Sequence, residues 1–173
     1  SWSRGLGDVY KRQILRAEKV NLASFNKPLI IGINGAQGSG KSTLADYLKS
    51  YACAEGHSAV SLSLDDFYLT REERFQLSRD THPLLATRGV PGTHDIALAI
   101  NTLDQLSQKA GTVAIPRFDK SRDDRHSRED WEIAQLPIQL ILLEGWCLGA
   151  EPQPADSLVV PVNEFEKNHD SNQ

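Results

Sequence analysis

The sequence predicts a three-layer α/β fold with a mostly parallel β-sheet. Three observations lead to this class. Apolar stretches of strand length alternate with stretches of helical spacing, which is typical of helices packed on both faces of a parallel sheet. The stretch 29–33, LIIGI, is apolar throughout, as expected of a strand that is buried on both faces. A glycine-rich turn then separates this strand from the first helical stretch.

The glycine-rich turn spans residues 35–43 and fits the pattern G-x-x-x-x-G-K-[ST]. A strand, such a turn and a helix N-terminus form an anion cradle, because backbone N–H groups and the helix dipole point to one place. Lys41 can reach the β- and γ-phosphates of a nucleotide, and the Ser42 hydroxyl can hold Mg²⁺. We therefore expect a P-loop NTPase fold that binds a nucleoside triphosphate. The expected contacts are Gly35, Ala36, Gln37, Gly38, Ser39, Gly40, Lys41, Ser42 and Thr43.

The elements of the first half follow from local patterns. Residues 14–24 have helical spacing, and residues 28–33 form the first core strand. The helix after the turn is expected over 41–51, or as far as Glu55, because Gly56 is a favoured helix stop. A second core strand is expected over 59–64.

The second half is rich in charged residues and in turn signals. A short charged helix is expected over 71–79, followed by a loop over 81–93 that contains two prolines and two glycines. Asp95 is expected to be the N-cap of a helix that runs to about Lys109. The remaining elements are a short strand over 113–115, a charge-dense loop over 117–131, a core strand over 138–143 and a weaker strand candidate over 158–160.

Composition and charge narrow the class of protein. The 173 residues are 39% hydrophobic and 24% charged, which suits one soluble globular domain. The net charge of −4 favours neither nucleic acid nor an anionic membrane as a partner. Cys53 and Cys147 lie far apart and suit a reducing compartment, and no membrane span or signal peptide is recognised, so we expect a cytoplasmic protein. Residues 1–13 are interpreted as a non-native or disordered leader, which leaves 14–173 as a single domain.

Acidic residues follow two of the expected core strands. Asp65 and Asp66 end the second strand, and Glu144 ends the strand over 138–143. Ligands bind at the carboxyl ends of strands in open α/β sheets, so these carboxylates should face the phosphate cradle. Asp65 can accept the proton of an acceptor hydroxyl or bind Mg²⁺, and Glu144 can act through Mg²⁺ or its water shell. The alternatives are a solvated turn or helix cap for the aspartate pair and an ordinary strand-end acid for Glu144.

Two loops combine cations with carboxylates and are candidates for binding a second substrate. They are residues 88–95, RGVPGTHD, and residues 116–125, PRFDKSRDDR. Arg and Lys side chains can bind an anionic substrate or the phosphate in transfer, although a salt-bridged surface loop is the alternative. Trp146 is either a packing residue or a wall of the same site. The candidate substrate contacts are Asp66, Tyr68, Arg88, His94, Asp95, Arg117, Asp119 and Lys120.

Five motifs in order resemble the P-loop D-glycerate 3-kinase family, within the wider phosphoribulokinase, uridine kinase and pantothenate kinase superfamily. The motifs are residues 32–43, 64–70, 88–95, 116–121 and 143–149, and the likeness covers roughly residues 14–162. The resemblance implies that Asp65 is the general base and that Glu144 supports Mg²⁺. It also implies that the loops 88–95 and 116–121 line the acceptor pocket.

The same resemblance implies a function. The expected activity is an ATP- and Mg²⁺-dependent small-molecule kinase that transfers the γ-phosphate to an alcohol, with D-glycerate as the leading acceptor. A nucleoside, pantothenate or another sugar acid is the alternative acceptor. A nucleotide-binding fragment or switch without transferase activity is a further alternative, although no Asn-Lys-x-Asp guanine-reading segment is present. Members of the family extend well beyond the position of Gln173, so the sequence is interpreted as a C-terminally incomplete piece.

Overall fold

The computed structural model describes residues 26–161, 163, 164 and 167, so the leader expected over 1–13 and the helix expected over 14–24 lie outside the described residues. The described helices are α1 (Lys41–Ala54), α2 (Arg71–Asp80) and α3 (Ile96–Leu106). The strands are β1 (Leu29–Asn34), β2 (Ala59–Ser63), β3 (Thr112–Ile115), β4 (Phe118–Asp119), β5 (Asp124–Arg125), β6 (Glu132–Gln135) and β7 (Leu140–Gly145). Among these helices, none is long and apolar enough to cross a membrane.

The central sheet consists of three parallel strands in the order β1-β7-β2. In the middle strand, Leu140, Ile141 and Leu142 are all buried, because a central parallel strand is covered on both faces. The carboxyl ends of all three strands lie at one edge of this sheet. The segments that carry the functional candidates leave the sheet at this edge.

Different helices cover the two faces of the sheet. Helix α1 packs on a cluster that includes Leu140 and Leu142. Ile141 lies between them and therefore points to the opposite face, where it packs with Leu106 of α3. The predicted three-layer α/β architecture with a parallel sheet is confirmed.

The helix starts differ in how their first N–H groups are satisfied. Asp95 caps α3 as predicted, with its Oδ1 accepting from the backbone N–H of Leu98 at 2.9 Å, although this helix ends at Leu106 rather than near Lys109. Thr70 caps α2 and forms a capping box with Glu73. Helix α1 follows Gly40 and has no side-chain cap among the described residues. Its first N–H groups therefore face the glycine-rich turn without a side-chain partner.

Outside the central sheet, one expected strand was confirmed and two expectations were wrong. The strand over 113–115 forms as β3, but it pairs antiparallel with β6, a short strand with one buried residue that gave no clear alternation in the sequence. The loop over 117–131 contains the antiparallel hairpin β4–β5, whose strands are only two residues long. The candidate strand over 158–160 does not form, and Val159 and Val160 are about 70% exposed, which a core strand would not allow.

Candidate functional site

The phosphate loop, residues 35–43, is a tight turn with the backbone conformations that glycine permits. Gly38 and Gly40 have φ angles of 74° and 84°, in the left-handed region. A Cβ added to Gly35 would lie 2.9 Å from Ser39 Oγ, so the loop closes on itself at this point. The Lys41 ammonium donates to the carbonyl oxygen of Ala36 at 2.9 Å across the turn. The loop therefore places one cation and the uncapped start of α1 around a single concave surface.

Glu144 connects the phosphate loop to the ends of the central strands. It is the next-to-last residue of β7, is only 7% exposed, and accepts hydrogen bonds at Oε1 from Ser42 Oγ at 3.0 Å and Ser63 Oγ at 2.6 Å. The following residue is glycine because a Cβ there would lie 3.0 Å from Leu148 Cγ. The structure thus brings the predicted metal ligands Ser42 and Glu144 into direct contact.

This donor set fits magnesium that is shared with nucleotide phosphates. Among the described residues, no group of three or more His, Cys, Asp or Glu side chains could hold a metal ion. Mg²⁺ is usually held by one or two carboxylates together with phosphate oxygens and water. Ser42 and Glu144 supply a hydroxyl and a carboxylate beside the phosphate loop, and Asp65 lines the same cleft of about 330 Å³.

Asp65 lies in this cleft between a cation and a phenol. Its Oδ2 accepts from Lys120 Nζ at 2.6 Å. Burial raises the pKa of Tyr68 to about 12, and the charge of Asp65 and a hydrogen bond to its carboxylate add to the rise, whereas Arg88 opposes it. Tyr68 therefore stays protonated and donates to Asp65, which leaves the carboxylate facing the cleft that also contains Ser42.

Asp66 has a different partner from its neighbour in sequence. Its Oδ2 accepts from Arg117 Nη1 at 2.8 Å, and its Oδ1 accepts from the backbone N–H of Phe118 at 3.1 Å. Arg117 also donates to Glu132 at 2.6 Å. Burial alone would lower the pKa of Arg117, but the hydrogen bonds and charges of Glu132 and Asp66 outweigh this and raise it. Asp66 therefore anchors the segment that delivers Lys120 to Asp65.

Aromatic rings pack around Tyr68. Tyr68 stacks on His94 with ring centroids 4.3 Å apart and contacts Phe118 edge-on at 5.4 Å. Burial lowers the pKa of His94, although the charge of Asp65 opposes this effect. The Nε2 atom of His94 is buried and has no hydrogen-bond partner among the described residues. We use the name acceptor wall for Tyr68, Arg88, His94, Arg117 and Lys120.

Gly89 and Trp146 line a second cleft. Arg88 pairs with Asp123, and Gly89 lines a cleft of about 650 Å³ together with Trp146 and residues 34–37 of the β1 end and phosphate loop. Trp146 is 38% exposed, so it forms a wall of this cleft rather than part of the core. The loop 88–95 and the phosphate loop therefore border the same space.

Two of the predicted substrate contacts are used to stabilise local structure. Asp95 caps α3 with Oδ1 and accepts from Arg125 at 3.1 Å with Oδ2. Asp119 Oδ1 accepts from the Ser121 backbone and hydroxyl groups and from the Arg122 backbone, which lowers the pKa of Asp119, with the Ser121 hydroxyl as the main cause. Neither carboxylate lies in the cleft with Asp65.

Sequence reasoning missed four residues that organise the site. Ser63 had a local signal, since it is the last polar residue of a strand that ends at Asp65. Arg74, Asp123 and Glu132 had none, because the side chains that they pair with lie 15 or more positions away in the chain. These long-range contacts depend on the tertiary fold.

Comparison with known proteins places this geometry in a family. No family model matches the chain. It is 40% identical over 144 residues to an uncharacterized kinase of Schizosaccharomyces pombe and 39% identical over 138 residues to the chloroplastic D-glycerate 3-kinase of Arabidopsis thaliana, which correspond to 79% and 75% of this chain. A uridine kinase of Staphylococcus epidermidis is 34% identical over 126 residues, 70% of this chain and 54% of that protein.

A solved structure shows the same relationship. The D-glycerate 3-kinase from Cryptococcus neoformans var. grubii superposes with a TM-score of 0.69 at 32% identity, over 84% of this chain and 53% of that one. The chain spans 51% of the fission yeast relative and 30% of the Arabidopsis relative. The sequence motifs, the parallel sheet and these matches show that the chain belongs to the family of P-loop kinases that includes D-glycerate 3-kinase.

Proposed function

We propose that this chain carries the phosphate-binding and acceptor-binding part of an ATP-dependent kinase that phosphorylates an alcohol, with D-glycerate as the first acceptor to test. In this reaction the acceptor hydroxyl oxygen forms a bond to the γ-phosphorus of ATP. The bond from that phosphorus to the bridging oxygen breaks, and ADP leaves with the electron pair. Asp65 takes the hydroxyl proton.

The observation that carries this proposal is the shared cleft of Asp65, Ser42 and Glu144. Phosphoryl transfer needs alignment, positive charge and a proton acceptor, and little covalent chemistry from the protein. The phosphate loop supplies N–H donors and Lys41 for the nucleotide. Asp65 stands on the acceptor side of the same cleft, where Tyr68 and Lys120 hold its carboxylate in place.

Magnesium has a place in this arrangement. Ser42, Glu144 and Asp65 are the residues that would hold it, and when bound it supplies positive charge for the phosphate oxygens. The two hydrogen bonds to Glu144 Oε1 keep its carboxylate at the strand end beside the loop. The chain's own residues thus hold the oxygen ligands near the phosphate loop.

An acidic acceptor is supported by the charges of the acceptor wall. Lys120 is 60% exposed and has only Asp65 as a partner among the described residues, so its remaining N–H donors are open to a ligand carboxylate. Arg88 also lies on this side. D-glycerate carries such a carboxylate, and two of the matched proteins are named as D-glycerate 3-kinases.

A nucleoside is the second candidate acceptor. Uridine kinases are among the matched proteins, and the stacked rings of Tyr68 and His94 give the acceptor wall an uncharged part. The two candidate acceptors differ in charge, so a substitution of Lys120 should affect them differently. Loss of the Lys120 charge should raise the KM for an acidic acceptor and leave the KM for a neutral nucleoside largely unchanged.

The test is a coupled assay of ADP release by the chain with ATP and Mg²⁺, alone and with D-glycerate, uridine or pantothenate. We expect D-glycerate to stimulate turnover and Lys120→Met to raise its KM. If only uridine stimulated turnover, and its KM were unchanged in Lys120→Met, the result would favour a nucleoside as the acceptor. ATP binding with no stimulation by any acceptor would reject the kinase proposal for this chain.

A further inference from the structure

A buried guanidinium holds three site segments together. Arg74 lies in the middle of α2 and is 0% exposed. It donates from Nη1 to the Leu69 carbonyl at 2.6 Å, from Nη2 to the Asp123 carbonyl at 3.0 Å, and from Nε to the Ala86 carbonyl at 3.4 Å. A buried charge is costly unless it is paired and hydrogen-bonded, so these contacts fix the three segments relative to one another. The same segments carry Tyr68, Arg88 and Lys120.

Asp123 joins this buried group to the acceptor wall. Its Oδ2 accepts from Arg74 Nη2 at 2.7 Å, and its Oδ1 accepts from Arg88 Nη1. The residue has a φ of 55°, in the left-handed region that Asp and Asn adopt more readily than most side chains. In this conformation its carbonyl and its carboxylate both accept from the same Arg74 nitrogen. One carboxylate thus joins two guanidinium groups, and the position of Arg88 depends on Arg74 through Asp123.

Arg88 in turn lies close to Phe118 and Tyr68. The Arg74 and Arg88 guanidinium carbons lie 5.6 and 5.9 Å from the centroid of the Phe118 ring. Arg88 is also close enough to the Tyr68 hydroxyl to oppose the rise in the Tyr68 pKa that burial and Asp65 cause. Within the described part of the chain, only Nη1 of Arg88 donates to the protein. The pairing with Asp123 fixes the orientation of the Arg88 guanidinium, and its other N–H groups are available to an anion.

We propose that Asp123 and Arg74 are positioning residues that act through Arg88. They hold its guanidinium beside Phe118 and Tyr68, where it binds an anionic group of the acceptor or the phosphate in transfer. The identity of the bound anion rests on the proposed function, whereas the contacts among Arg74, Asp123 and Arg88 do not. It follows that Asp123 contributes to acceptor binding and not to ATP binding, although it touches neither substrate.

The kinetic test compares Asp123→Asn, Arg88→Met and the double variant in the full chain. Asn keeps the size of the side chain and tolerates the left-handed φ, so the substitution removes the charge with little backbone strain. We expect about a tenfold rise in acceptor KM in each single variant, with the KM for ATP within about twofold of the parent. The double variant should be no worse than Arg88→Met, because both changes remove one interaction. An unchanged acceptor KM in Asp123→Asn, or losses that add in the double variant, would overturn the proposal.

Asp104→Asn is the matched control. Asp104 is an exposed carboxylate of α3 with no side-chain hydrogen bond among the described residues, so the same change of charge should leave both KM values as in the parent. If Asp104→Asn raised the acceptor KM as much as Asp123→Asn, net charge would explain the effect and the positioning role would be rejected.

A second measurement needs no enzyme activity. Phenylglyoxal modification of the full chain, followed by peptide mass spectrometry, reports the accessibility of each arginine. In Asp123→Asn we expect Arg88 to react several-fold faster while buried Arg74 stays protected. An unchanged rate at Arg88, or loss of protection at Arg74 in parallel, would overturn the proposal, the latter because Asp123 would then be holding the fold. Absence of acceptor-stimulated turnover in the parent chain contradicts only the proposed function, since this measurement still decides the role of Asp123.

Discussion

The phosphate loop and the acceptor wall lie on two sides of one site, but they are built by different means. The loop is made of nine consecutive residues. Its Lys41 side chain bonds Ala36, five positions away, and its Ser42 hydroxyl bonds the distant Glu144. The acceptor wall depends on ion pairs between residues 15 to 55 positions apart, such as Arg88 with Asp123 and Lys120 with Asp65. A substitution of Lys41, which bonds only within the turn, should therefore change ligand binding alone. Substitutions in the wall should change stability as well.

The largest effect is expected at Asp65, where the two regions meet. Asp65→Asn removes the proton acceptor and keeps the size of the side chain, so turnover should fall by about 10²–10⁴-fold. ATP affinity should stay within about twofold, because the phosphate loop is untouched. Steady-state kinetics and ATP titration measure the two quantities separately. Loss of ATP binding together with turnover would mean that Asp65 supports the loop, and the division between the regions would be wrong.

The next effect is expected in the phosphate loop. Lys41→Ala removes a cation that would contact the triphosphate, and a charged hydrogen bond of about 1.5–3 kcal/mol corresponds to a loss of roughly 10–100-fold in ATP affinity. Stability should be unchanged, because Lys41 bonds only one carbonyl of the same turn. Isothermal titration with ATP measures the change in affinity, and urea denaturation measures the free energy of unfolding. A destabilised variant would show that the loop is coupled to the core.

A substitution in the acceptor wall should give the opposite result. Arg117→Met leaves the carboxylate of Asp66, whose side chain is 16% exposed, without its charged partner. We expect a loss of about 2 kcal/mol in the free energy of unfolding and unchanged ATP affinity. Lys49→Met is the matched control, because Lys49 pairs with the more exposed Glu132 and should cost less than about 1 kcal/mol. Equal losses in the two variants would contradict the role of burial.

The smallest effect concerns His94 and pH. Burial lowers the pKa of His94 in the folded chain, so the unfolded chain binds more protons as the pH falls through about 6.5, and stability is lost in that direction. His94→Gln cannot titrate and should lose less stability than the parent between about pH 7.5 and 5. Urea denaturation at the two pH values measures this difference. Identical pH dependence in parent and variant would show that His94 is not held in its neutral form.

The same contrast explains what the sequence could predict. The phosphate loop and the strands 29–34 and 140–145 were found because their signals are local: positive-φ glycines, buried apolar runs and a helix start. The hydrogen-bond partners of the two aspartates had no such local signal and could not be predicted. Asp65 and Asp66 are identical in type and adjacent, and both line the cleft. Asp65 nevertheless pairs with Lys120, whereas Asp66 accepts from Arg117 and Phe118.

The missed elements have the same physical origin. Strand β6 has one buried residue, and the hairpin β4–β5 has two residues per strand, so neither carries a repeat long enough to recognise. Arg74 stands in a strongly charged helix and is distinguished from its neighbours only by burial. Its partners are backbone carbonyls and Asp123, which only the folded chain brings together.

The fluorescence of Trp146 can report on ligand binding near the phosphate loop. Its indole borders the cleft beside residues 34–37, and it is 38% exposed, so its emission depends on what fills that space. The sequence contains two other tryptophans, Trp2 and Trp131, and Phe in both places would leave one emitter. Nucleotide arrival at the glycine-rich turn could then be followed in real time without a dye, and its rate separated from that of the later chemistry.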